Sequence, residues 1–106
     1  IGMGSSSRPK DYDWNKFTPE QSNEYFVEYL EKWRESMGKH FLRSGEEREF
    51  TQFYLAGHSF GGYISAKYAL KYHKHIKKLL LISPIGVNPR TPEERTNVYE
   101  RFKRRA

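Results

Sequence analysis

Residues 53–87 read FYLAGHSFGGYISAKYALKYHKHIKKLLLISPIGV, and the reading of this stretch decides the fold. It begins inside Phe50–Ala56, a short apolar run rich in aromatics that has the composition of a strand. Gly57-His58-Ser59-Phe60-Gly61 follows, with another glycine at Gly62. From Gly61 to about Tyr72 the apolar residues Ile64, Ala66, Tyr68, Ala69 and Leu70 give a helical pattern. Ile76–Ile82 is a second apolar run of the buried type, closed by Ser83-Pro84-Ile85-Gly86. Strand, helix and strand in that order predict two parallel neighbours joined by a right-handed crossover.

The pentapeptide at 57–61 fits G-x-S-x-G, a match that chance alone supplies in roughly 3% of chains this long, given ordinary glycine and serine usage. Its position adds the meaning. It closes an expected strand and opens directly into an expected helix, the arrangement of a nucleophile elbow. A sharp turn of that kind lifts the serine Oγ clear of the backbone, so Ser59 is expected to have positive φ or another strained conformation. Gly57 and Gly61 are expected to flank it because side chains there would collide across the turn, and Gly62 to let the helix sit close to the sheet. The backbone N–H of Phe60, at the helix start, is the expected oxyanion donor. His58 shares the turn, but its side chain leaves in another direction from that of Ser59.

Outward from this centre, Ile1–Pro9 is small, rich in glycine and serine, and reads as a loop. Thr18 suits a helix N-cap, Pro19 the first helical position, and Gln21 completes a capping box. Phe26, Leu30, Trp33 and Met37, joined by Tyr29, repeat at helical spacing until Gly38, the expected stop. Lys39–Glu49 is a polar connector. Thr91-Pro92-Glu93-Glu94 repeats the capping signature and predicts a last helix running into the basic tail. Two strands with three helices cannot form a parallel sheet covered on both faces, and the chain starts with Ile1 rather than Met. It is therefore expected to be a piece of a larger α/β domain.

The 106 residues hold no cysteine, which excludes disulfides, a thiol nucleophile and cysteine-ligated metal. No cofactor or metal is expected. The longest apolar stretch, Leu79–Ile82, is far short of the roughly 20 residues of a membrane span. The net charge of +6 favours anionic partners, and Lys67, Lys71, Lys74, Lys77 and Lys78 form one basic cluster, with Arg101, Lys103, Arg104 and Arg105 forming another. A solvated face explains these groups most simply. An anionic membrane or an acidic protein is the next reading, and nucleic acid is not expected, because no binding module accompanies the charge.

Residues 53–87 resemble the central strand, elbow, helix and next strand of the α/β-hydrolase fold, and IGMGSSSRP is similar to the loop after an earlier strand of that fold. GHSFGGY followed by AKYAL is most similar to the lipid-directed members, the branch of lysophospholipases and lipase coactivators. The resemblance implies that 1–90 is the central part of a hydrolase domain and that 91–106 starts a cap. It implies lipid esters or amides as substrates, Ser59 as nucleophile, and an intracellular, membrane- or lipid-droplet-associated protein with candidate protein partners. Some coactivators of the branch carry Asn in place of the serine, and Ser59 stands here instead. The alternative is a non-catalytic binding or scaffold subunit with the same fold.

The chain is not expected to complete a triad. His73 and His75 fall beyond the far end of the helix after Ser59, about 18 Å along its axis. His40 precedes the strand and belongs near its opposite end. Asp11 and Asp13 lie before the first helix, Glu20 and Glu24 suit a helix start, and Ser83–Asn88 contains no carboxylate. In the resembled family the acid and the histidine follow the cap.

Overall fold

A computed structural model describes residues 1–13, 15–40, 50–86 and 91, with 39 and 40 described as backbone only. The expected helix after Thr91 and the cap it opens lie outside the described residues, as does most of the connector.

Helix α1 spans Pro19–His40. Its start is the expected capping box: the Gln21 N–H donates to Thr18 Oγ1 at 3.2 Å, and the Thr18 N–H donates to Gln21 Oε1 at 2.8 Å. Two of the orphan donors of the first turn are thereby satisfied. The helix runs through Gly38 instead of stopping there. An interior glycine costs a helix only about 1 kcal/mol, too little to end one by itself.

Strand β1 is Phe53–His58, three residues later at its start and two at its end than the apolar run suggests. Pairing sets these limits. β1 lies parallel to β2, Ile76–Ile82, with Leu55 opposite Leu79, Gly57 opposite Leu81 and His58 opposite Ile82. The ladder carries the strand through Gly57 and His58, while Phe50 packs as a ring against Trp33 and Phe53. Helix α2, Phe60–Lys71, joins the two strands, with a 3-10 turn at His73–His75 that the sequence reading lacks.

Alternation divides the sheet. Phe53, Leu55 and Gly57 face the helices, whereas Tyr54, Ala56 and His58 are exposed with their register partners Lys78, Leu80 and Ile82. β2 is thus far less buried than expected, with Leu80 59% and Ile82 48% exposed. The core consists of Val27, Phe53 and the fully buried Tyr68, ringed by Leu30, Phe50, Leu55, Tyr72 and Ile76. Val27, Glu31 and Arg34 form the buried stripe of α1, and Trp33, expected to pack, is 44% exposed.

Candidate functional site around Ser59

Ser59 occupies the single residue between β1 and α2, with φ 54° and ψ −119°. That left-handed conformation is costly for a residue with a Cβ, so its surroundings must hold it. Three backbone hydrogen bonds do so. The Ser59 N–H donates to the Ile82 carbonyl at 3.1 Å, at the end of β2. Its own carbonyl accepts from the N–H of Tyr63 at 3.2 Å and from the N–H of Ile85 at 3.1 Å. The turn is therefore tied at once to the neighbouring strand, to the first turn of α2 and to the segment after β2.

The glycines divide into two kinds. A Cβ on Gly57 would stand 2.5 Å from the Gly61 carbonyl oxygen and 2.8 Å from its carbon. A Cβ on Gly62 would stand 2.8 Å from Pro84 Cβ and 3.0 Å from the Gly57 carbonyl oxygen. At both positions the backbone of strand and helix meet too closely for a side chain. Gly61 corrects the sequence expectation, since a Cβ there meets nothing within 4 Å. Its backbone, not the absence of its side chain, forms the close contact with Gly57.

Phe60 opens α2, so its N–H has no acceptor within the helix and sits where the positive end of the helix dipole lies. Its half-exposed ring meets Phe26 edge-on at 5.5 Å and stacks on Tyr63 at 6.4 Å. His58 is exposed on the open face of the sheet. His75 is at the other pole, where its Nδ1 lies 2.8 Å from the Thr51 carbonyl and its Nε2 3.7 Å from Glu31. His73 shares that 3-10 turn, and the His40 side chain lies outside the described residues. Asp11 accepts from the Tyr25 hydroxyl at 3.0 Å, and Asp13 pairs with Lys16 at 3.1 Å. Both aspartates thus have a local partner in α1 or in the loop before it. Among the described residues no group of three or more His, Asp or Glu could hold a metal.

A polar network that the sequence reading misses locks α1 to α2. Arg34 and Glu31 form a buried ion pair at 2.7 Å, the Tyr68 hydroxyl donates to Glu31 Oε2 at 2.5 Å, and Arg34 also donates to the Phe50 carbonyl at 2.6 Å. The Arg34 hydrogen bonds, aided by Tyr68, hold the Glu31 carboxyl below its ordinary range against the opposing effect of burial. Burial first, and the Glu31 bond second, push the Tyr68 phenol up. Nearby, Lys71 pairs with Glu24 and, at 2.8 Å, with Glu28, which also accepts from Tyr72 at 2.6 Å. The bond to Glu28, more than burial, pushes the Tyr72 phenol up to about 12. A signal existed in the sequence: Glu24, Glu28 and Glu31 stand at helical spacing, and Tyr68, Lys71 and Tyr72 fall on and just after the second helix.

The strands are parallel, so their C-terminal ends meet at Ser59 and their N-terminal ends mark the opposite pole. Lys71, Lys74 and Lys77 belong to that opposite pole, at the end of α2 and the start of β2. An anionic surface gathered there would face away from Ser59. Among the described residues no helix is long and apolar enough to cross a membrane.

Comparison with known proteins supplies the frame for this geometry. The chain is 35% identical over 86% of its length to a probable 1-acylglycerol-3-phosphate O-acyltransferase of Oryza sativa subsp. japonica, covering 19% of that protein. It is 47% identical over 64% of its length to the 1-acylglycerol-3-phosphate O-acyltransferase ICT1 of Saccharomyces cerevisiae, covering 14%. It is 34% identical over 89% of its length to a (lyso)-N-acylphosphatidylethanolamine lipase of Homo sapiens, covering 24%. The chain thus spans a quarter or less of each of these relatives. No solved structure matches it. The family model described as alpha/beta hydrolase fold matches residues 1–104, and with a parallel strand–helix–strand unit in place, the chain belongs to that family.

Proposed function

We propose that Ser59 is the nucleophile of an acyl-transfer enzyme acting on the acyl groups of phospholipids or their lyso forms, and that 57–62 is its nucleophile elbow. The observation that carries this reading is the conformation of Ser59, φ 54° at a single-residue junction of strand and helix. A fold keeps such a conformation only where its surroundings over-determine it, and a strained serine at a strand-to-helix junction is what a nucleophile elbow requires.

The reading implies acyl-enzyme chemistry. Oγ adds to the acyl carbonyl carbon as its proton passes to a general base, and the carbonyl oxygen becomes an oxyanion facing the Phe60 N–H. Collapse expels the alcohol or amine, which takes the proton from the base, and leaves the acyl group esterified to Ser59. Attack by water then completes hydrolysis, whereas attack by a lysolipid hydroxyl completes transfer. The relatives include both outcomes by name, a lipase and O-acyltransferases, and one acyl-enzyme accounts for both. We assign the base, its orienting acid and a second oxyanion donor to parts of the protein outside these residues.

The test is covalent labelling of the full-length protein with a serine-directed organophosphonate. Labelling at Ser59 that Ser59→Ala abolishes supports the reading. The 106-residue chain alone should label at least about 10²-fold more slowly, since it lacks base and second donor. A folded full-length protein that resists labelling shifts the weight to a non-catalytic scaffold.

A further inference from the structure

Tyr63 lies one helical turn beyond Ser59 and joins three elements that share no covalent neighbour. Its N–H donates to the Ser59 carbonyl at 3.2 Å. Its hydroxyl accepts from Asn23 Nδ2 of α1 at 2.9 Å. Its ring covers Gly86, where φ is 83° and an added Cβ would stand 3.1 Å from Cδ2 and 3.3 Å from Cε2. Gly86 follows Ile85, whose N–H is the second donor to the Ser59 carbonyl, at 3.1 Å. Ser83, at the head of the same segment, also has positive φ, 42°. Two left-handed residues and a strained serine thus share one small region, and a single ring braces it.

We infer that Tyr63 is a positioning residue for Ser59, a strut from Asn23 through the tyrosine ring onto Gly86 that keeps the Ile85 amide on the Ser59 carbonyl. The inference rests on Ser59 being the nucleophile. With φ and ψ of Ser59 held by the bonds to its carbonyl and N–H, the direction of its Cα–Cβ bond is fixed, and Oγ is left only the staggered wells of χ1. Loosening the segment after β2 releases one of the two donors to that carbonyl, and small errors in the placement of a reacting atom lower rates steeply. Phe60, stacked on the same ring, carries the expected oxyanion donor, so the strut serves both groups.

The experiment uses the full-length protein with Tyr63→Phe and Asn23→Ala, which remove the same hydrogen bond from opposite ends. Asn23→Ala leaves every residue of the Ser59 turn intact. Organophosphonate labelling is resolved into the probe's binding constant and its maximal rate, at a temperature where circular dichroism shows each variant folded. Both variants should lower the maximal rate about tenfold with the binding constant unchanged, and the double variant should fall no further than either alone. In parallel, amide exchange at Ile85 should quicken in both variants while exchange in the middle of α2 does not. Wild-type rates in either variant, or unchanged Ile85 exchange, would overturn the strut. Absence of labelling in the wild type would overturn the nucleophile assignment instead, and the Ile85 exchange rates would then decide the brace alone.

Discussion

The backbones of Gly57 and Gly61 press together across the Ser59 turn: a Cβ on Gly57 would lie 2.5 Å from the Gly61 carbonyl oxygen and nearer still to Ser65 Oγ. Ser65 is itself buried, so neither contact relaxes by moving a free side chain into solvent. Gly57→Ala should therefore shift β1 against α2 and lower stability by about 2 kcal/mol, within the range for overpacked sites. Gly61→Ala meets open space in a helix and should cost nothing, or gain up to about 1 kcal/mol. Urea denaturation of the two variants checks the contrast. Equal losses would show that the turn tolerates neither side chain.

Glu31 gives a second prediction. It sits 8% exposed, with Arg34 and Tyr68 as partners. Glu31→Gln leaves the Arg34 charge buried without its counter-ion and should cost about 3 kcal/mol. The sign of the pH dependence follows from the lowered carboxyl. Its stabilisation is complete above the ordinary carboxylate value of 4.5 and disappears as pH falls through the lower value it has in the fold. Glu28, lowered chiefly by Lys71, acts in the same direction. Tyr72 acts oppositely: its stabilisation holds below 10 and disappears as pH rises towards about 12. Denaturation midpoints measured across pH should fall at both limbs in the wild type, and Glu31→Gln should flatten the acid limb.

The start of α1 offers the simplest test. Thr18 Oγ1 accepts from the Gln21 N–H, and Gln21 Oε1 returns the bond to the Thr18 N–H. Thr18→Ala removes the first bond and should cost about 1 kcal/mol, as N-cap losses do. Gln21→Ala removes the second and should cost less, since the Thr18 amide is exposed to water. Thermal melts of the two variants separate these expectations.

How much of this was legible in the sequence depended on how local the cause was. The capping box, the parallel pair and the strand–serine–helix junction rest on spacings of a few residues, and the sequence carries them. Strand ends depend on register: Phe50 has strand composition but packs as a ring, and His58 pairs although it is polar. The role of Gly61 is not legible, because a glycine has no side chain to show whether its freedom or its backbone is used. The buried stripe Val27–Glu31–Arg34 was obscured because two of its members are charged, and burial of a charge is legible only once its partners are known. Tyr63 and Asn23, forty residues apart, gave no periodic signal at all.

Ser59 supplies the last prediction, because the backbone conformation on which its proposed role rests should burden the fold. A non-glycine residue held at φ 54° and ψ −119° costs about 1–3 kcal/mol relative to a relaxed conformation. Its hydroxyl makes no capping bond to the start of α2, so removing the oxygen alone has little effect on stability. Ser59→Ala keeps the Cβ and hence the strain, and should melt close to the wild type. Ser59→Gly removes the Cβ and relieves the strain, although the more flexible unfolded chain takes back up to about 1 kcal/mol. The expected net result is a glycine variant more stable than the alanine variant by about 1 kcal/mol, with organophosphonate labelling abolished in both. Urea denaturation of the three full-length proteins measures the difference. A glycine variant no more stable than the alanine one would mean that the turn carries no strain at Ser59, and the observation that supports its role as nucleophile would lose its force.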